Sequence, residues 1–247
     1  MQQQQLLDES EKHSLYALDE FFVKRDLLFN TFKWGSGSKR ILITHGWGSK
    51  AADFSELISA LREIPDTEII AFDAPGNGSS EGELSNLELY VHAVAAIIKH
   101  YGKPDVMIGH SLGGITNVMA VAQTGVTPSL LISIAPLIRL REHFEASMSA
   151  AGVSPVSQQV YLKSFEEVVG VPASYYNQYD LYQFDERLNH LLIYDEHDVV
   201  SPYAYLQKFL ATRPFIKTIN HPGTGHERII RLPEIINEIV DAIKSVL

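Results

Sequence analysis

The chain contains no cysteine among its 247 residues, which excludes disulfide bonds, thiolate metal sites and a cysteine nucleophile. It also has no apolar run that approaches the roughly 20 residues of a membrane-spanning helix. The stretch from Met1 to Glu9 lacks the basic region and the apolar region of a secretory signal. We therefore expect a cytoplasmic protein with no membrane partner.

Positive charge is scarce. Lysine and arginine number 20 against 30 aspartate and glutamate residues, so the formal net charge is −10. The longest basic clusters are pairs such as Lys24-Arg25 and Lys39-Arg40. A nucleic-acid partner needs a basic face, so we expect neither a nucleic-acid partner nor a simple positively charged membrane patch.

What the chain does have is a repeated alternation of short apolar runs with stretches of helical spacing. Strands that are apolar throughout are buried on both faces, and their alternation with helices predicts an α/β fold with a mainly parallel central sheet and helices on both faces. In such sheets ligands bind beyond the carboxyl ends of the strands. The expected strands are 29–34, 40–44, 68–72, 105–108, 130–134, 191–194 and 216–219, and the expected helices are 51–63, 87–100, 115–122, 203–211 and 229–246.

The alternation stops between Pro136 and Phe184, where the sequence is helical in character and rich in aromatic residues toward its end. We interpret residues 136–184 as a helical cap inserted over the functional edge of the sheet. The core domain then consists of residues 1–135 and 185–247. Ordinary packing helices are the alternative interpretation of the insertion.

The nucleophile candidate is Ser111, in the sequence Gly109-His110-Ser111-Leu112-Gly113, which matches the G-x-S-x-G pattern of a nucleophile elbow. In that motif a strand turns sharply into a helix with the serine at the apex, and the glycines let neighbouring elements approach. A second match surrounds Ser80, but Ser80 lies several residues beyond its strand and is flanked by acidic residues. We therefore interpret Ser80 as a surface-loop serine.

A nucleophilic serine needs a base and an orienting acid. Among ten histidines, His226 is the best placed, between the last expected strand and the final helix, with His221 as a nearby rival. Asp198 is the candidate acid because it lies in the outer part of the loop after the strand 191–194. Asp195 sits at the end of that strand, where a local hydrogen-bonding role is more typical.

Two backbone N–H groups are needed to form an oxyanion hole. The residue after the nucleophile, Leu112, supplies one candidate, and Trp47 in the loop after the strand 40–44 supplies the other. His45 could act as a second base, but its place beside a glycine turn favours a role in bracing that loop. The candidate substrate-pocket residues are His110, Leu137, Tyr175, Tyr176, Tyr179 and Val199.

Five segments together resemble the successive motifs of the α/β-hydrolase superfamily, and the order Ser, Asp, His is also that of the superfamily. The resemblance runs from about residue 29 onward. It implies an α/β-hydrolase fold, a cap over the active site, oxyanion roles for Trp47 and Leu112, and a structural turn at 73–76. The segments are HGWGS at 45–49, DAPGNGSS at 73–80, GHSLGG at 109–114, DVVSP at 198–202 and GTGHERI at 223–229.

The serine at position 111 departs from the haloalkane dehalogenases and epoxide hydrolases of this superfamily, and the HGWG form resembles small carboxylesterases. We therefore predict a serine hydrolase that cleaves a small-molecule carboxylic ester or thioester through an acyl-enzyme, with no metal or organic cofactor. One alternative is a ligand-binding or receptor-like module on a hydrolase scaffold. Another is a C–C bond hydrolase or perhydrolase that uses the same three residues.

Overall fold

A computed structural model of the chain describes residues 2–247, in which eight strands form one sheet of order β1-β2-β4-β3-β5-β6-β7-β8. Strand β2 runs antiparallel to both of its neighbours, whereas all pairs from β4 to β8 are parallel. The strands are β1 Glu11–Asp19, β2 Arg25–Trp34, β3 Lys39–Thr44, β4 Thr67–Asp73, β5 Val106–His110, β6 Leu130–Ile134, β7 His190–Tyr194 and β8 Lys217–Asn220.

The α-helices are α1 Gln2–Asp8, α2 Ser55–Leu61, α3 Leu87–Tyr101, α4 Leu112–Thr124, α5 Leu140–Ala150, α6 Pro155–Val169, α7 Gln178–Leu181, α8 Tyr203–Ala211 and α9 Pro233–Lys244. Short 3₁₀ helices cover Ala51–Phe54, Ala173–Tyr175 and Arg228–Ile230.

The apolar core is divided by the sheet into two clusters, because side chains along a strand point alternately to its two faces. Ile41 and Ile43 of β3 pack into the cluster that includes α2 and α9, while Leu42 between them packs with α3 and α4. All three side chains are almost completely buried. The mainly parallel sheet with helices on both faces, predicted from the apolar runs, is confirmed.

Strand β1 and helix α1 were not expected from the sequence. Strand β1 lies at the edge of the sheet and is largely exposed or half-buried, so it lacks the apolar run that marks the central strands. The expected helix at 229–246 is also divided. It begins as a 3₁₀ turn, and α9 starts at Pro233, where proline is tolerated because a first helical residue needs no N–H partner.

The segment between β6 and β7 contains three α-helices and one 3₁₀ helix. An isolated antiparallel bridge between Arg139 and Asn177 joins the two ends of this helical insertion. The bridge lies close to the carboxyl edge of the parallel strands, because the N–H of nearby Leu137 donates to the Ser111 carbonyl at 3.0 Å, whereas the chain enters β7 at the opposite edge. That residues 136–184 form a cap domain with those boundaries stays a prediction.

Candidate active site

Ser111 occupies the turn between β5 and α4 with a φ of 53° and a ψ of −116°, a backbone conformation that residues other than glycine rarely adopt. Such a conformation costs about 1–3 kcal/mol and persists only where the surroundings hold it. Here the Ser111 N–H donates to the Ile134 carbonyl at 3.0 Å, and the Ser111 carbonyl accepts from Gly114 and Leu137, each at 3.0 Å.

The glycines of the motif are required by close backbone contacts. A Cβ atom on Gly109 would lie 2.4 Å from the Gly113 carbonyl oxygen, and one on Gly113 would lie 2.2 Å from the Thr44 carbonyl oxygen. Neither contact can be accommodated without moving backbone. The spacing G-x-S-x-G is therefore what allows β5, β3 and α4 to meet at this turn.

Ser111, His226 and Asp198 form a continuous hydrogen-bonded series. The Ser111 hydroxyl lies 2.9 Å from His226 Nε2, and His226 Nδ1 lies 2.6 Å from Asp198 Oδ2. The side chains of His226 and Asp198 are 8% and 2% exposed. An imidazole held by a carboxylate on one nitrogen presents its other nitrogen to accept a proton from a hydroxyl.

The Asp198 carboxylate is held in its charged form despite its burial. Burial favours the neutral acid, but the hydrogen bond from His226 and the N–H groups of Val200 and Ser201 outweigh it, so the pKa of Asp198 lies below its ordinary value. A charged carboxylate at this position stabilises a positive charge on the imidazole.

Asp195, the other candidate acid after β7, does not contact the His226 ring. Its carboxylate accepts hydrogen bonds from the backbone of the loop that carries His226. Its Oδ1 accepts the N–H of Gly223 at 3.0 Å, and its Oδ2 accepts the N–H of Gly225 at 2.7 Å. Burial raises the pKa of Asp195, but these backbone donors lower it more. The rival base His221 pairs with Glu238 at 2.7 Å.

His110 lies beneath the site and is fully buried, with its Nε2–H donating to the His226 carbonyl oxygen at 2.9 Å. Its Nδ1 has no hydrogen-bond partner within residues 2–247. Burial, reinforced by the neighbouring His226 ring, lowers the pKa of His110 to about 3. His110 therefore stays neutral and supports the backbone of the His226 loop.

The loop after β3 passes directly beside the turn that carries Ser111. A Cβ atom on Gly46 would lie 3.0 Å from Ser111 Cβ. Within residues 2–247, the backbone N–H groups of Trp47 and Leu112 donate to no protein acceptor. His45 braces this loop, as its Nε2 accepts the N–H of Ala74 at 2.9 Å.

A cavity of about 240 Å³ extends from Trp47 and Leu112 under the helical insertion. Its walls are mainly apolar, with ring centroids 5.6 Å apart for Phe144 and Phe165 and 6.2 Å apart for Phe165 and Tyr176. The other lining residues are Phe21, Phe22, Ser85, Asn86, Leu87, Glu88, Leu140, Tyr161, Ser164, Val168 and Val169.

Of the six expected pocket residues, Tyr176 lines this cavity. His110 does not, because it is buried below Ser111. Leu137 instead lines a separate cavity of about 40 Å³. Val199 is 86% exposed, and Tyr175 is 50% exposed and packs edge-on against Tyr176.

Tyr179 also lies outside the cavity that Tyr176 lines. Its ring stacks on Phe209 with centroids 6.4 Å apart, its hydroxyl donates to the Tyr205 carbonyl at 2.7 Å, and the Arg139 guanidinium lies 5.6 Å from its centroid. Tyr179 and Tyr182 both contact Phe209 of α8, whereas α5 and α6 supply much of the cavity wall. Of the three expected tyrosines, Tyr176 is the one that lines the cavity.

Sequence reasoning missed most of the cavity wall. Tyr161, Phe165 and Val168 recur at helical spacing on α6. This pattern predicts an apolar helix face from the sequence, but it does not show that the face lines a cavity. Phe21 and Phe22 lie at the tip of the β1–β2 hairpin, which the sequence did not reveal because β1 was not recognised.

Within residues 2–247, no group of three or more histidine, aspartate and glutamate side chains is arranged to hold a metal ion. No helix described over the same residues is both long and apolar enough to cross a membrane.

Comparison with known families gives a match over residues 41–238 to the model of the Alpha/beta hydrolase family. Monoglyceride lipase of Rattus norvegicus is 32% identical over 112 residues, which cover 42% of this chain and 37% of that protein. A probable serine hydrolase of Drosophila melanogaster is 31% identical over 108 residues, covering 41% of this chain and 32% of that protein. The matches thus span about a third of these relatives' length.

Solved structures resemble the chain over almost its whole length. A putative hydrolase from Agrobacterium vitis has a TM-score of 0.73 at 15% identity, covering 96% of this chain and 98% of its own. The Pyrococcus furiosus esterase Pf2001 has a TM-score of 0.68 at 16% identity, covering 96% and 93%. At such identities the likeness shows a shared fold.

Proposed function

The chain belongs to the alpha/beta hydrolase family, and from that premise we propose that it is a serine hydrolase of carboxylic esters or thioesters. The observation that carries the proposal is the hydrogen-bonded series from the Ser111 hydroxyl through His226 to the Asp198 carboxylate. Family membership alone leaves the reaction open, because one fold supports many chemistries.

In the proposed reaction, the Ser111 oxygen attacks the acyl carbon while His226 Nε2 takes the hydroxyl proton. The tetrahedral intermediate collapses as His226 returns that proton to the leaving alcohol or thiol, which leaves an acyl-Ser111 ester. Water, deprotonated by His226, then attacks the acyl carbon, and release of the acid restores the Ser111 hydroxyl. Asp198 keeps the imidazole oriented and stabilises its charged form.

The negative oxygen of the tetrahedral intermediate needs donors that are already in place. We assign this role to the backbone N–H groups of Leu112 and Trp47, which donate to no protein acceptor among residues 2–247. The position of Leu112 at the first turn of α4 supports the assignment, because a helix N-terminus favours negative charge.

We propose that the helical insertion caps this site and that the cavity of about 240 Å³ takes the acyl group. The apolar rings of Phe144, Phe165 and Tyr176 suit an apolar chain of small or medium length. Rat monoglyceride lipase, whose name specifies an ester substrate, matches part of the chain, and this agrees with ester hydrolysis. A cytoplasmic location stays a prediction.

The test is labelling with a fluorophosphonate, followed by mass spectrometry of the modified peptide and a panel of p-nitrophenyl esters and thioesters. We expect the label on Ser111, no label in Ser111→Ala, and turnover of short or medium esters. Ser80→Ala is the matched control, because Ser80 has the same sequence pattern but its hydroxyl bonds to the Asp73 carbonyl.

Label on another serine would overturn the nucleophile assignment. Label on Ser111 without turnover of any ester or thioester would overturn the proposed reaction, and a panel of diketones would then test for C–C bond hydrolysis.

A further inference from the structure

The apolar cavity contains one carboxylate, on Glu88 in the first turn of α3. Its Oε1 accepts a hydrogen bond from the Tyr176 hydroxyl at 2.9 Å. No lysine, arginine or histidine forms an ion pair with Glu88 within residues 2–247, and its Oε2 receives no donor from the same part of the chain. The carboxylate therefore keeps accepting capacity, and its residue lines the cavity.

The direction of the Tyr176–Glu88 hydrogen bond is fixed by charge. Burial and the Glu88 carboxylate both raise the pKa of Tyr176, so its hydroxyl keeps its proton and donates it. One tyrosine donor occupies a single acceptor position, whereas a carboxylate has about four. Tyr176 thus fills one acceptor position of Glu88 and leaves the others open.

A second polar group lies in the same wall. The hydroxyl oxygen of Ser85 is buried from solvent and makes no hydrogen bond within residues 2–247. Buried hydroxyl groups are nearly always hydrogen-bonded, because an unmade bond leaves the cost of removing the group from water unrecovered. Ser85 and Glu88 are three residues apart and line one cavity.

We propose that Glu88 and Ser85 form a polar subsite that binds a hydrogen-bond donor, a hydroxyl or an ammonium group, at the far end of the acyl chain. The inference deepens the proposed ester hydrolysis and rests on it. A carboxylate accepts hydrogen bonds and cannot donate them, so the subsite selects donors and repels a terminal carboxylate. The preferred substrate is then an ester of an ω-hydroxy or ω-amino acid rather than of a plain fatty acid.

Glu88 also has a purely structural interpretation, since an acidic side chain in the first turn stabilises a helix and this one anchors Tyr176. Two matched variants separate the interpretations. Glu234→Gln removes an exposed acid from the first turn of α9, outside the cavity. Tyr176→Phe removes the tyrosine–carboxylate hydrogen bond but keeps the Glu88 charge.

The experiment measures kcat/KM for p-nitrophenyl esters of straight-chain acids from four to twelve carbons, each with a terminal methyl, hydroxyl, ammonium or carboxylate group. For the chain length that spans the cavity, we expect the hydroxyl and ammonium esters to exceed the methyl ester about tenfold, the usual worth of a hydrogen bond to a charged group. The carboxylate ester should be the poorest substrate.

The variants then assign that preference to the carboxylate. Glu88→Leu should abolish both donor preferences, whereas Glu88→Gln should lower the ammonium preference more than the hydroxyl preference because an amide oxygen accepts without charge. Ser85→Ala should reduce the hydroxyl preference, and Glu234→Gln and Tyr176→Phe should retain both.

Two results would overturn the subsite: no donor preference at any chain length, or an equal loss of preference in Tyr176→Phe and Glu88→Leu. Either result would leave Ser111 labelling and hydrolysis of plain esters intact, so it is distinct from failure of the proposed function. Absence of labelling and of all ester turnover would overturn both.

Discussion

The Ser201 hydroxyl donates a hydrogen bond to the carbonyl oxygen of Pro136 at 2.6 Å. The Ser201 N–H also donates to Asp198 Oδ1 at 3.2 Å, and the N–H of Leu137 donates to the carbonyl of Ser111 at 3.0 Å. Three hydrogen bonds and one peptide unit thus connect the proposed acid to the backbone of the proposed nucleophile. We infer that Ser201 positions the acid loop relative to the nucleophile turn.

Ser201→Ala should therefore lower kcat by about two- to tenfold with little change in KM, since the lost hydrogen bond is worth about 0.5–1.5 kcal/mol and acts on the geometry of the reacting groups. Ser201→Thr should restore most of the rate because it retains the hydroxyl. Steady-state kinetics measure kcat and KM, and the rate of fluorophosphonate labelling measures the reactivity of Ser111. A lower melting temperature with an unchanged labelling rate would mean that the hydrogen bond is merely structural.

The two aspartates that follow β7 should respond differently to the same substitution. Asp198→Asn should lower kcat on the order of 10⁴-fold, as loss of an orienting carboxylate does in other triads. Asp195→Asn should lower the melting temperature more and kcat less, because Asp195 holds the Gly223 and Gly225 backbone and does not contact the imidazole. Equal loss of kcat in both variants with no thermal difference would contradict the assignment.

Two buried histidines predict how stability depends on pH. Burial lowers the pKa of both His110 and His190 to about 3, against about 6.5 in an unfolded chain. A group whose pKa is depressed by folding contributes stability that is present above its unfolded pKa and lost as the pH falls toward its folded pKa. The free energy of unfolding should thus fall between pH 6.5 and 4, by up to about 1.4 kcal/mol per histidine per pH unit.

Denaturant melts between pH 8 and pH 4 measure this dependence. His190→Gln should give a shallower slope below pH 6.5, whatever its effect on stability at pH 8. His197, which is 70% exposed, provides the control, and His197→Gln should keep the slope of the natural chain. The same slope in both variants would show that buried histidine protonation is not the cause.

The sequence predicted the central sheet and the juxtaposition of Ser111, His226 and Asp198 because those features have local signals. The pattern around Ser111 is a run of five residues between a buried strand and a helix. His226 and Asp198 each follow a strand, and parallel strands end at the same edge of the sheet. The cavity wall has no such signal. Its rings come from the β1–β2 hairpin, α5 and α6, and their meeting depends on packing between elements distant in sequence.

The tyrosines illustrate the same limit. Tyr175, Tyr176, Tyr179 and Tyr182 are close in sequence, yet only Tyr176 among them lines the cavity. Tyr182 is buried against Phe209, and its hydroxyl lies 3.0 Å from His190 Nδ1. The composition of the segment shows its aromatic character, whereas the direction of each ring depends on the element that carries it. Tyr175 and Tyr176 lie at the end of the 3₁₀ helix Ala173–Tyr175, and Tyr179 on α7 packs against α8.

Phe165 should set the length of the acyl chain that the cavity accepts. It lies half-buried on α6 and contacts the rings of both Phe144 and Tyr176 in the cavity wall. Phe165→Ala enlarges the cavity, so the ester chain length with the highest kcat/KM should increase. Tyr179→Ala is the matched control, because it removes an aromatic ring of the same insertion that stacks on Phe209 outside the cavity. This control should lower the melting temperature and leave the chain-length optimum unchanged. An unchanged optimum in Phe165→Ala, or the same shift in both variants, would mean that the cavity under α6 does not hold the acyl group.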